Sequence, residues 1–115
     1  MSPTNLALTL ACVAAIAVGQ VFFKLAARAA SGAAAFPWDL LNPYLFIALA
    51  IYGAATLLWV WLLKTLPLNV AYPFVGLAFV IVPVLGALFL DEALDWRHLA
   101  GGALIASGVA IASWR

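Results

Sequence analysis

The chain has only four acidic side chains, Asp39, Asp91, Glu92 and Asp95, and none falls within its long apolar stretches. A proton-driven cation exporter needs an anionic site at membrane depth to hold cation or proton, so this absence argues against such chemistry in this chain alone. Cysteine is equally scarce. Cys12 has no second cysteine to pair with and no neighbouring ligands, which excludes an internal disulfide and a zinc site and leaves it as a small helix-packing residue. The lone histidine, His98, stands at a helix start and reads as a capping or interface residue, with proton chemistry as the alternative. No Ser-His-Asp or Cys-His arrangement and no phosphate-cradling glycine loop is present. The sequence therefore gives no basis for an enzyme, a metal centre or a cofactor. A net charge of +1 removes the electrostatic case for a nucleic-acid partner.

What the chain does have is apolar surface. Of its 115 residues 69% are hydrophobic and 8% charged, where a soluble domain has about half and about a quarter. A domain of this size cannot bury that much in its own core, so lipid is its solvent. The hydrophobic pattern predicts an all-α fold and a single domain, an integral membrane bundle of four transmembrane helices over about 5–30, 43–64, 69–90 and 97–114. The first run has no basic segment before it and is too long for a leader core, so it is read as a retained helix. Ser31-Gly32, Pro37 and Asp39 interrupt the chain after it, and Phe36 and Trp38 suit the interface. Pro43 fits the first turn of the second helix; Tyr44, Trp59 and Trp61 look like aromatic belts. The link from Thr65 to Leu68 is short, which makes helices two and three antiparallel neighbours.

The third run carries two proline and glycine pairs, Pro73 with Gly76 and Pro83 with Gly86. Each proline removes a backbone hydrogen bond, which membrane helices tolerate where neighbours re-satisfy the carbonyl. Two helix breaks are expected there, as a movable bend or as packing by small residues. Asp91 to Trp96 reads as a solvated loop in which Glu92 could pair with Arg97. In the fourth run Gly101 and Gly108 lie seven residues apart on one face, beside a row of Gly102, Ala106 and Ala110. Such small residues let helices approach closely in lipid, so Gly101 and Gly108 are the expected dimer interface. With alternating helices, Arg28 and Arg97 fall on one side and Lys64 and Arg115 on the other, a tie unless Lys24 is counted, so the positive-inside rule sets no firm orientation.

One polar stripe interrupts the apolar runs. Gln20, Lys24 and Arg28 recur every fourth residue near the end of the first helix, on one slowly drifting face. Long cations near a helix end can snorkel to the headgroups, and Arg28 alone fits that description. Lys24 with Gln20 one turn deeper reads as a polar site, since ionisable groups in a membrane helix are functional candidates by default. An amide and a cation without a carboxylate suit an anion such as a phosphate near headgroup depth.

Nearly the whole chain resembles the four-helix members of the drug/metabolite transporter superfamily, of the small multidrug resistance or EamA-like kind. With the small multidrug resistance exporters it shares Ala15, Gly19 and Lys24, then Ala71-Tyr72, then Gly101 and Gly108. The exporters' helix-one glutamate aligns with Ile16, however, and their helix-three tryptophan with Val75, which argues against drug export. The undecaprenyl-phosphate-aminoarabinose flippase subunits match more closely, through V-G-Q-x-x-x-K-x-A from Val18 to Ala26, L-W-x-x-x-L from Leu58 to Leu63, and L-P-L-N-V-A-Y-P from Leu66 to Pro73. That resemblance implies a multi-pass protein of the bacterial inner (cytoplasmic) membrane, a flippase or flippase subunit for a polyprenyl-phosphate-linked sugar. Its partners would be that membrane lipid and a second four-helix subunit, in a homodimer or heterodimer. Lys24 and Arg28 would attract the lipid phosphate, Gln20 would bond the headgroup, and Tyr72 would face the same cavity from helix three. The alternatives are a small exporter of cations or polar metabolites that takes its acid from a partner, and a non-transporting structural subunit.

Overall fold

The computed structural model describes residues 2–30, 35 and 37–113. Ser31-Gly32, Phe36, Trp114 and Arg115, which figure in the sequence reading, lie outside the described residues. The fold is all-α. α1 spans Pro3–Ala29, a 3-10 turn covers Trp38–Leu40, α2 spans Pro43–Leu63, α3 Leu68–Val75, α4 Ala78–Phe89 and α5 Trp96–Ser113. α3 and α4 together form the third of four rods. Among the described residues, three segments are long and apolar enough to cross a membrane: Pro3–Ala29, Pro43–Leu63 and Leu68–Phe89. α5 holds 18 residues and opens with Trp96-Arg97-His98.

Local chemistry sets the ends of these helices. Ser2 caps α1 by accepting from the Asn5 N–H at 3.1 Å, and Pro3 follows in the first turn. Asn42 serves two helices at once. Its side-chain oxygen accepts from the Leu45 N–H at 3.2 Å, capping α2. Its amide donates to the Ala26 carbonyl at 3.0 Å, one of the last four carbonyls of α1, which lack partners within the helix. A single side chain thereby closes the α1–α2 connection. At the start of α5, Asp95 accepts from the N–H groups of Arg97 at 3.0 Å and His98 at 3.4 Å. His98 Nδ1 also lies 3.0 Å from the Asp95 carboxylate, so the histidine belongs to the cap.

α1 is the hub. Cys12 packs with Ala55 and Leu62 of α2, Leu66 of the turn after it and Ala71 of α3, and its thiol sits 3.2 Å from the Ala55 carbonyl. Val13 packs with Phe74 and Val109, which brings α1, α3 and α5 together. Large apolar side chains cover the outside: Leu57, Leu104 and Ile111 are each about three-quarters exposed (74%, 76% and 75%), an arrangement that only lipid makes favourable. Hydroxyls in the helices, whether buried as at Thr9 or exposed as at Thr56 and Ser107, bond their own backbone. Thr9 donates to the Asn5 carbonyl at 2.7 Å, Thr56 to Tyr52 at 2.8 Å and Ser107 to Ala103 at 2.8 Å, so none needs water.

The third rod breaks once. Between α3 and α4 the chain passes through Gly76 and Leu77, with the N–H groups of Gly76, Leu77, Phe79 and Val80 each reaching back three residues. That is the tighter 3-10 pattern. Gly76 is required there because a Cβ would come within 2.9 Å of the Pro73 carbonyl oxygen. The second expected break is corrected. Pro83 lies inside α4, which is one helix from Ala78 to Phe89. A proline frees one carbonyl without ending a helix whose flanking turns are packed. Gly86 is not a break either: Glu92 occupies the space beside it, and a Cβ would fall 2.6 Å from the carboxylate.

Candidate functional site

Helical spacing carries the polar stripe of α1 from the interior towards one end of the bundle. Gln20 lines a cavity of about 370 Å³ that is walled by Ile16, by Tyr52 of α2, and by Val75, Ala78, Phe79, Val82 and Pro83 around the break in the third rod. The Tyr52 ring stands edge-on to Phe23, with centroids 5.7 Å apart. Gly19, on the adjacent face, lets α2 approach: a Cβ there would meet the Tyr52 ring at 3.3 Å. The cavity is therefore mostly apolar, and Gln20 and Tyr52 supply its polar side-chain groups.

One turn further, Lys24 Nζ lies 4.0 Å from Glu92 Oε2, with the two side chains 50% and 46% exposed. Three features bring the carboxylate there. Asp91 adopts the left-handed conformation (φ 55°), which reverses the chain after α4. The Glu92 N–H then returns to the Gly86 carbonyl at 3.2 Å. Gly86 leaves open the space over which the side chain lies. The pair is half in solvent, so it is worth at most about 1 kcal/mol and can be exchanged for a ligand's charges at little cost. Glu92 does not join Arg97, whose guanidinium instead lies 5.8 Å from the centroid of the Trp96 ring.

Arg28 has a partner too. Its Nη2 donates to the Leu90 carbonyl at 2.8 Å, placing a cation on an unpaired carbonyl at the C-terminal end of α4, where the helix dipole favours positive charge. It thus bridges the ends of α1 and α4. An apolar groove of about 400 Å³ runs beside this cluster, lined by Val18, Val21, Phe22 and Leu25 of α1 and Leu85 and Phe89 of α4.

The structure thus gathers Lys24, Arg28 and the end of α4, with Gln20 one turn deeper. Tyr72 is separate. It is 61% exposed, stacks edge-on against Trp59 at 6.5 Å, and is not among the residues that wall the Gln20 cavity. Gly101 and Gly108 face open space, with nothing within 4 Å of a Cβ at either, whereas Gly102 packs on Val80 at 3.5 Å. Sequence reasoning did not find Glu92, Tyr52 or Asn42 as contributors. The only signals were a glycine six residues before Glu92 and an asparagine before Pro43.

An all-helical chain of membrane-spanning segments around a small cavity, with a cation beside a groove open to lipid, defines a compact membrane transport subunit. Comparison with known proteins places it further. It is 38% identical over 107 residues, covering 91% of this chain and 93% of the relative, to the probable 4-amino-4-deoxy-L-arabinose-phosphoundecaprenol flippase subunit ArnE of Pseudomonas aeruginosa strain LESB58. It is also 38% identical over 97 residues to the proteins of the same name from Yersinia pestis strain Pestoides F and Yersinia pseudotuberculosis serotype O:1b, covering 84% of this chain and 85% of each relative. The chain belongs to this family of flippase subunits. No protein-family model matches it, and no solved structure does.

Proposed function

We propose that the chain is an inner-membrane subunit of a flippase that carries a polyprenyl-phosphate-linked amino sugar from one leaflet to the other. The observation that carries this reading is the position of Lys24. By helical spacing it lies one turn beyond Gln20 of the cavity and next to Leu25 of the apolar groove. A lipid could keep its prenyl chain in the groove, place its phosphate on Lys24 and pass its sugar into the cavity, where Gln20 and Tyr52 offer hydrogen bonds. Only the polar head then needs a path across the bilayer. Val75 and Ala78, which flank the break at Gly76-Leu77, line the cavity, so bending there would open one side and close the other, as alternating access requires. The four rods act as one transmembrane domain. The open face of α5 at Gly101 and Gly108 pairs with a second four-helix subunit, either another copy or a related chain.

The test is headgroup protection of a labelled undecaprenyl-phosphate amino sugar in proteoliposomes, with binding of the same lipid measured by native mass spectrometry. Lys24→Ala should weaken binding, Lys24→Arg should retain part of it, and Arg28→Ala should have the smaller effect. Binding by Lys24→Ala equal to that of the parent overturns the phosphate site.

A further inference from the structure

We propose that Glu92 is a specificity-determining residue that recognises the ammonium group of an amino sugar on the lipid whose phosphate Lys24 attracts; this rests on the flippase reading above. A site for phosphate alone gains nothing from a carboxylate 4.0 Å from its cation, because the carboxylate competes with the ligand for Lys24 and repels it. The structure nevertheless holds Glu92 at that place by three independent means: the left-handed Asp91, the Glu92 N–H bond to the Gly86 carbonyl, and the bare α-carbon of Gly86 under its side chain. A headgroup carrying both a phosphate and an amine resolves this. It exchanges the internal pair for two crossed pairs, phosphate on Lys24 and ammonium on Glu92, and leaves no charge without a partner. A neutral sugar on the same phosphate breaks the internal pair and returns only half of it. The other cation of the cluster, Arg28, keeps its charge but is held on the Leu90 carbonyl, so the adjacent cation and anion at the mouth of the site are Lys24 and Glu92, a pair complementary to a zwitterion.

Charge and position can be separated at residue 86. A methyl at residue 86 would fall 2.6 Å from Glu92 Oε1. The atom in the way is the far end of a flexible side chain, so Gly86→Ala moves the carboxylate aside without a backbone clash. It should therefore act like removal of the charge.

The experiment measures the affinity of the full chain for two probes by native mass spectrometry. They are undecaprenyl phosphate carrying 4-amino-4-deoxy-L-arabinose and the same lipid carrying L-arabinose. The parent should prefer the amino lipid by about tenfold, the worth of one charge-assisted contact at a half-exposed site, about 1.4 kcal/mol. Glu92→Gln should bring the ratio near one, partly by improving binding of the neutral lipid. Gly86→Ala should also lower it, although the chain's charge is unchanged. Glu92→Asp should keep an intermediate preference. A parent without preference, or a preference untouched in Glu92→Gln and Gly86→Ala, overturns the inference. Lys24→Ala reads the underlying site separately. If it weakens both lipids alike while Glu92→Gln leaves the ratio intact, the phosphate site stands and the role of Glu92 falls. If Lys24→Ala binds both lipids as the parent does, the phosphate site falls, and the Glu92→Gln ratio still reports whether the carboxylate senses the amine.

Discussion

Arg28→Ala tests whether the end of α1 holds the end of α4. The side chain makes one charge-assisted hydrogen bond, 2.8 Å long, to the Leu90 carbonyl, and Leu90 itself is only 5% exposed. Hydrogen bonds to charged groups contribute about 1.5–3 kcal/mol in mutational series, and a cation at a helix C-terminus about 0.3–1 kcal/mol. Much of Arg28 is exposed, which argues for the low end, a loss of about 1.5 kcal/mol. For a chain of 115 residues that corresponds to a melting point lower by about 5–8 °C. Arg28→Lys should recover part of it, since an ammonium keeps the dipole interaction but not the planar reach of the guanidinium. Thermal unfolding in lipid nanodiscs gives the first readout. Hydrogen exchange gives the second: the amides of Leu90 and Glu92, both bonded to the Gly86 carbonyl, should exchange faster in Arg28→Ala, while those of α2 should not. An unchanged melting point together with unchanged exchange at these amides would refute the bridge and return Arg28 to snorkelling.

Three further outcomes are expected. Gly101→Leu and Gly108→Leu should leave the fold intact and weaken subunit association in lipid, whereas Gly102→Leu should destabilise the monomer by clashing with Val80; fluorescence-detected dimerisation and thermal shift separate the two. Pro73→Ala should reduce lipid translocation in proteoliposomes more than it reduces folded protein, because alanine supplies the backbone N–H that proline lacks just before the break and a straighter rod bends less readily. Asn42→Ala should cost about 1–2 kcal/mol through loss of the α2 cap, together with the tie to the Ala26 carbonyl, read as a lower melting point that Asn42→Asp only partly restores.

The helices were legible in the sequence because lipid imposes long apolar runs and because Pro43 marks the first turn of α2, whereas the capping side chains Ser2, Asn42 and Asp95 became evident only from their hydrogen bonds. The polar stripe was legible because the helical repeat fixes which residues share a face. What could not be read was anything that depends on a chain reversal. Glu92 belongs to a charged loop that reads as solvated, and only the left-handed turn at Asp91 carries it back over Gly86 to Lys24. The same holds for Arg28, whose partner is a carbonyl 62 residues away; sequence spacing contains no sign of it. Pro83 was misjudged because a proline marks a lost hydrogen bond, not a broken helix. Tyr72 sits in a shared motif with Pro73, but its rotation about the α3 axis turns it towards Trp59 instead of Gln20.

The walls of the Gln20 cavity are almost entirely hydrocarbon, and this bears on the speed of any passage through the molecule. A hydrocarbon wall offers nothing for a sugar to linger on. On the proposed path a headgroup meets two polar side chains in the cavity, Gln20 and Tyr52, and otherwise smooth hydrocarbon walls. Transit requires sites that capture a cargo yet release it soon after. With its handholds gathered near one end, the subunit would hold its cargo firmly at the mouth and only briefly within, so dwell time would be set at the entrance.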